Sequence, residues 1–197
     1  MSKNLLGNRN QGILFVISAP AGTGKSTLVE MILKEFPDQI AKSRSCTTRD
    51  PRPQEVLTHH YDFISITDFH QKITSGEFLE QVEVFGNYYG TRKEEVADLQ
   101  EQGKHVLLII DTQGAMQIMK KIPAVFIFIA PPSFKELRNR LVKRSTENDQ
   151  KIQERLLWAK QEMRFACFYD YYIVNDDLEV TYQILRSILI AEEHKRR

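Results

Sequence analysis

Two cysteines, Cys46 and Cys167, are too few for a disulfide framework, and no C-x-x-C pair occurs. The small oxidised scaffolds of secreted proteins are thereby excluded, and a reducing, cytoplasmic setting is expected. An excess of one charge is also missing, since 27 basic residues face 26 acidic ones. Nothing then draws the whole chain to nucleic acid or to anionic membrane, so neither is an expected partner, and phosphate binding must come from local clusters. Long apolar runs are absent too. The longest, residues 106–110 and 125–130, fall far short of a bilayer span. The polar stretch 1–11 lacks the apolar centre of a secretory signal. No repeat and no low-complexity segment interrupts the chain. What is present is 197 residues, 42% apolar and 10% aromatic, enough core for one domain with room for inserted subdomains.

The most informative stretch is Ala19-Pro20-Ala21-Gly22-Thr23-Gly24-Lys25-Ser26. It follows an apolar run, Ile13-Leu14-Phe15-Val16-Ile17, and opens an amphipathic segment that starts at Thr27. The order is strand, tight loop, helix. The glycines let several backbone N–H groups turn toward one point, and the helix start adds its free N–H groups and positive dipole end. An anion of phosphate size fits there. Lys25 would reach the outer phosphates of a nucleoside triphosphate, and the Ser26 hydroxyl would hold a magnesium ion. Ala19 stands where the G-x-x-x-x-G-K-[ST] pattern has its first glycine, and it suffices if its φ stays below zero.

Apolar β-rich runs alternate with helical patterns. Strands are expected near 13–18, 106–110, 125–129 and 171–174, with helices near 25–36, 113–120 and 178–193. Pro131-Pro132-Ser133 stops one element and caps the next helix. Near-continuous apolar strands between helices mean an α/β fold, a parallel sheet covered on both faces. Residues 43–96 break the rhythm as a polar, aromatic, turn-rich insertion, and the charged residues 138–160 read as a helical hairpin that moves. Insertions of this kind sit over the carboxyl ends of the strands, where ligands bind.

Ser45-Cys46-Thr47-Thr48-Arg49-Asp50-Pro51-Arg52-Pro53 puts two arginines three apart on a loop stiffened by prolines. Two guanidinium forks on such a loop suit one phosphate. Tyr61 follows, then the aromatic turn Phe85-Gly86-Asn87-Tyr88-Tyr89-Gly90-Thr91. On composition alone these residues equally describe a solvated basic loop and a core aromatic cluster. His59-His60 lacks an evident third metal ligand nearby.

These blocks, with Ile110-Asp111-Thr112-Gln113-Gly114, residues 126–132 and Val174-Asn175-Asp176-Asp177-Leu178, resemble the guanylate kinases in order and spacing from about Gly12 to Glu193. The resemblance implies a P-loop nucleoside-monophosphate-kinase fold with three parts. They are a core (about 11–42, 97–137 and 161–197), a GMP-binding insertion (43–96) and a lid (138–160). It implies transfer of the γ-phosphoryl of ATP to GMP with Mg2+, giving ADP and GDP. Ala19, Pro20, Ala21, Gly22, Thr23, Gly24, Lys25, Ser26 and Thr27 match its ATP loop. Arg49, Arg52, Tyr61 and Tyr89 match its GMP-phosphate contacts, and Ser45, Glu80, Thr91 and Asp111 its guanine contacts. Guanine presents N1–H and N2–H side by side, which one carboxylate accepts together, and an O6 acceptor that hydroxyls satisfy.

Lys25 with the lid arginines Arg140, Arg144 and Arg155 would neutralise the transferring phosphoryl, although the same arginines also read as a solvated helix face. Asn175 matches a residue near adenine, or is a helix cap. Three departures stand out. Ile109 replaces a frequent acidic residue, leaving Asp111 to act alone at that strand end. Ser145 replaces a glycine, and Gln81-Val82-Glu83 replaces a tryptophan-containing run. Two rivals remain: a guanylate-kinase-like binding module without catalysis, and a related P-loop kinase with another phosphorylated acceptor. Lys25 and Ser26 argue against the first, the arginine and aromatic blocks against the second. Oligomeric state and acceptance of dGMP stay open.

Overall fold

The computed structural model describes residues 5–51, 61–144 and 149–196. In chain order the elements are β1 Leu14–Ser18, α1 Lys25–Glu35, β2 Ile40–Lys42, β3 Ser45–Thr47, β4 Tyr61–Phe63, α2 Ile66–Thr74, β5 Phe78–Val84 and β6 Asn87–Arg92. There follow α3 Lys93–Glu101, β7 His105–Ile109, α4 Thr112–Met119, β8 Val125–Ala130, α5 Phe134–Arg144, α6 Asp149–Phe165, β9 Tyr171–Val174 and α7 Leu178–His194.

The apolar runs pair in parallel into one sheet, ordered β2-β7-β1-β8-β9. Every residue of β1 is buried because its side chains alternate between two faces that are both covered. Phe15 and Ile17 pack with Leu28 and Ile32 of α1 and Leu185 and Leu189 of α7. Leu14 and Val16 pack on the other side with Ala115 and Ile118 of α4 and Val96 of α3. The covered parallel sheet expected from sequence is what forms. β2 was not anticipated. Its three residues carry no readable period, and pairing with β7 alone makes them a strand.

β1 lies between β7 and β8, so the chain leaves the sheet toward opposite sides at this point. That is where an open α/β sheet leaves a crevice at its carboxyl ends. The glycine loop follows β1, and Asp111 follows β7 in the neighbouring position.

Strands β3, β4, β5 and β6 build a second, mixed sheet, ordered β4-β3-β6-β5. β5 and β6 join through a two-residue turn with Phe85 at φ 49° and Gly86 at φ 74°, the left-handed pair that a tight hairpin requires. The helices α5 and α6 pack through Leu137, Leu141, Ile152 and Ala159. Ser133 caps α5 as expected, accepting from the Glu136 N–H at 3.0 Å. Among the described residues no helix is long and apolar enough to cross a membrane.

Candidate active site

The glycine loop is held from both ends. Gly22 and Gly24 both adopt φ 91°, in the left-handed region. A Cβ on Gly24 would stand 2.6 Å from Asn175 Nδ2, so this position needs glycine for space as well as for backbone freedom. Thr23 donates its hydroxyl to the Pro20 carbonyl at 2.9 Å. Asn175, buried at the end of β9, donates through Nδ2 to the Thr23 carbonyl at 2.5 Å. Its own carbonyl accepts from Arg140 Nη1 at 3.1 Å. Asn175 is therefore a clamp on the loop. The cap of α7 is Asp177, which accepts from the Val180 N–H at 2.9 Å. Phe85 is the one non-glycine residue at positive φ among the described residues, so Ala19 meets its condition for replacing glycine. No side chain caps α1, which leaves its first-turn N–H groups facing the crevice.

Two adjoining cavities open in front of the loop, of about 260 and 270 Å3. They share Lys25, Ser45, Tyr61, Tyr89 and Ile109. The second adds Ser26, Arg49 and Lys42. The first adds Glu80, Asp111 and Glu162, with Val82, Val84, Phe85 and Trp158 as apolar walls. Pairing in the second sheet makes this convergence possible. Glu80 lies opposite Thr91, Thr91 opposite Ser45, and Ser45 opposite Tyr61, one row across four strands. A wider hollow of about 810 Å3 beside α3 is lined by Arg44 and Arg92, both held by Asp62 and Glu95.

Charge in the first cavity is unusually concentrated. Glu80 is 1% exposed. Its Oε1 accepts from the Thr91 hydroxyl at 2.6 Å, while Oε2 is buried with no hydrogen-bond partner. Burial pushes Glu80 up to about 7. Asp111 caps α4 by accepting from the Gly114 N–H at 2.8 Å, leaves Oδ2 unpartnered, and is raised, chiefly by burial. Glu162, 5% exposed, is pushed up to about 8 by burial, with Lys25 acting against the rise. Lys25 is lowered by the loss of hydration, and Glu162 and Asp111 oppose that shift. Its Nζ donates to the Ala19 carbonyl at 3.4 Å. Carboxylates with unpartnered oxygens line the same cavity as Lys25 and the start of the glycine loop, an arrangement suited to a ligand that carries donors at one end and phosphate at the other.

The expected site residues divide accordingly. Ala19, Ala21, Lys25, Ser26, Ser45, Arg49, Tyr61, Glu80, Tyr89 and Asp111 line the two cavities. Thr91 does not. It is fully buried beneath Glu80, and its single hydroxyl proton is committed there, so it is not available to donate to a ligand acceptor. Arg49 lies over the Tyr61 ring at 5.3 Å. Arg140 is held by Glu136 at 3.0 Å and by the Asn175 carbonyl, and Arg155 lies outside the cavity linings. Arg144 ends α5, with its side chain outside the description. Arg52, His59, His60 and Ser145 lie outside the described residues.

Sequence reasoning missed Glu162, Trp158 and Phe85 as cavity residues. It also left Asp111 as the sole carboxylate at its strand end, whereas Glu162 of α6 joins it there. The one available signal was the spacing of Trp158 and Glu162, one helical turn apart.

Among the described residues no group of three or more His, Cys, Asp or Glu is arranged to hold a metal ion by itself. The donors that fit a divalent cation are the Ser26 hydroxyl at the loop and the unpartnered Asp111 Oδ2. This set suits magnesium, which keeps several waters and takes much of its shell from phosphate.

A family model described as Guanylate kinase matches residues 11–192. A guanylate kinase from Protochlamydia amoebophila (strain UWE25) is 52% identical over 192 residues, covering 97% of each chain. One from Chlamydia felis (strain Fe/C-56) is 50% identical over 182 residues, 92% of this chain and 89% of the relative. The crystal structure of guanylate kinase from Anaplasma phagocytophilum superposes with a TM-score of 0.77 at 35% identity, covering 98% of this chain and 90% of the other.

Proposed function

The chain belongs to the guanylate kinase family, a nucleoside monophosphate kinase by descent and by fold, and from that premise we propose how its residues share the work. The reaction moves the γ-phosphoryl of ATP to GMP. The glycine loop of residues 19–27 holds the ATP phosphates on backbone N–H groups, with Lys25 at the β- and γ-phosphates. Ser26 and Asp111 would hold the magnesium ion that accompanies ATP, which would supply positive charge against the developing phosphate charge. Arg49, Tyr61 and Tyr89, on the Ser26 side of the cavity, grip the phosphate of GMP, a role that Arg52 shares. Glu80 accepts the guanine N1–H and N2–H together. Ser45 donates to O6, and Thr91 keeps Glu80 aimed.

The observation that supports this reading is the row Tyr61–Ser45–Thr91–Glu80, whose Tyr61, Ser45 and Glu80 line one cavity with Lys25, as a ligand with phosphate at one end and a base at the other requires. Residues 43–96 act as the acceptor subdomain. The α5–α6 pair is the lid, from which Arg140, Arg144 and Arg155 approach the transferring group as it closes. At present Arg140 is engaged by Glu136 and Asn175, so closure must exchange those partners for phosphate. The setting is the cytoplasm.

A coupled assay of ADP formation tests the reading with GMP, AMP, UMP and CMP as acceptors and Mg2+ present or chelated. Turnover is expected with GMP alone and only with metal. A site built on buried hydrogen bonds rejects the wrong base by roughly 10⁴–10⁵. Equal rates for GMP and AMP would refute base reading by Glu80, and no turnover at all would favour a non-catalytic binding module.

A further inference from the structure

We propose that Trp158 of α6 is a positioning residue for the acceptor purine, and that with Phe85 it makes acceptor binding alone hold the lid helix over the site. The inference rests on the acceptor reading given above. Its ground is the pairing of two aromatic side chains whose segments give them no other task. Phe85 occupies a left-handed turn position at φ 49°, where glycine or asparagine is favoured, so a bulky residue there is strained. Phe85 as a residue is 59% exposed and belongs to no buried cluster. Trp158 is half-buried and stands outside the α5–α6 core, which Leu137, Leu141, Ile152 and Ala159 complete. The two rings meet with centroids 5.5 Å apart, tilted by 47°. This contact joins the β5–β6 hairpin to α6 at the wall of the 260 Å3 cavity, which both residues line.

The chemistry of the wall fits a flat ring. Glu80 and Ser45 offer polar groups to the edge of a base, while Trp158, Phe85 and Val82 offer apolar surface to a face. A purine seated on Glu80 would shield these rings from water and add its own π-surface to theirs. The wall has one member on the hairpin and one on the helix, so filling the cavity ties the two segments together. Glu162, one turn beyond Trp158, then stands beside Asp111 and Lys25 when the phosphates arrive.

Trp158 is the single tryptophan of the chain, so its emission reports on this contact alone. GMP is titrated into the full-length protein without ATP or magnesium, with calorimetry run in parallel. Emission is expected to change and to saturate at the GMP concentration at which calorimetry saturates, and AMP is expected to leave it unchanged. If calorimetry detects no GMP binding, the acceptor reading itself fails. If GMP binds and emission does not move, the role given to Trp158 fails.

Variants provide the second readout. Trp158→Ala should raise KM for GMP roughly tenfold with KM for ATP within about twofold, on the scale of base–aromatic stacking, and Trp158→Phe should recover most of the loss. Phe85→Gly removes the strained residue, so the melting temperature should hold or rise while KM for GMP still increases. Equal effects on both substrates, no recovery in Trp158→Phe, or an unchanged KM for GMP in Phe85→Gly would each overturn the proposal.

Discussion

Replacing Glu80 by glutamine separates what this carboxylate does for the ligand from what it costs the fold. In the free protein Glu80 titrates near 7 instead of 4.5, because burial disfavours its charge. A folded value above the unfolded one means that the folded state binds the proton more tightly. Stability is therefore fullest below about pH 4.5 and falls as pH rises through about 7. Integrating between about pH 5 and about pH 8.5 gives a loss of roughly 2–3 kcal/mol that glutamine does not suffer. The glutamine oxygen still accepts from Thr91. Its amide NH2 takes the place of the unpartnered Oε2 beside Gly114, a penalty that does not vary with pH. Chemical denaturation of both proteins at the two pH values should thus show Glu80→Gln gaining on wild type by roughly 2–3 kcal/mol toward alkaline pH. Glu162 and Asp111 titrate in both proteins and largely cancel in the comparison. The same variant should weaken GMP by roughly 2–4 kcal/mol, or about 30- to 1,000-fold in KM, because an NH2 group then faces a guanine donor. KM for ATP should stay unchanged. A stability difference flat across pH, or equal changes in both KM values, would refute the placement of a raised, base-reading carboxylate at Glu80.

Other perturbations test other parts of the site. Lys25→Ala should abolish transfer with no loss of thermal stability, since it removes a poorly hydrated cation from the crevice; near-normal turnover would end its assignment to the phosphates. Arg49→Lys should raise KM for GMP but leave guanosine binding unaltered, because a point charge cannot copy a two-donor fork on phosphate. Equal loss of GMP and guanosine in calorimetry would show that Arg49 acts on the base. Asn175→Ala leaves the Thr23 carbonyl without its buried donor, so stability should fall by about 1–3 kcal/mol and KM for ATP should rise; unfolding and kinetics measured together check both.

The nucleotide loop was legible because all its parts are neighbours in the chain. Residues 19–26 make their own geometry once β1 precedes and α1 follows, and only local backbone freedom is needed. The parallel sheet was legible for a related reason: strands buried on both faces must be apolar throughout, and β1, β7 and β8 are.

What only the tertiary structure decided involves partners far apart in sequence. Asn175 precedes two aspartates and reads as a cap until the packing brings it within 2.5 Å of Thr23, 152 residues away, leaving Asp177 to cap the helix. Thr91 carries a hydroxyl suited to a base, yet strand register sets it beneath Glu80 and uses its proton there. Glu162 sits on a helix of mixed charge, the usual mark of a solvated face, and is buried because α6 lies across the crevice. The physical reason is common to all three. A side chain's hydrogen-bonding capacity and charge are written in its own residue, but its hydration is set by whatever packs against it, and here hydration is what separates a surface carboxylate from one raised to about 8.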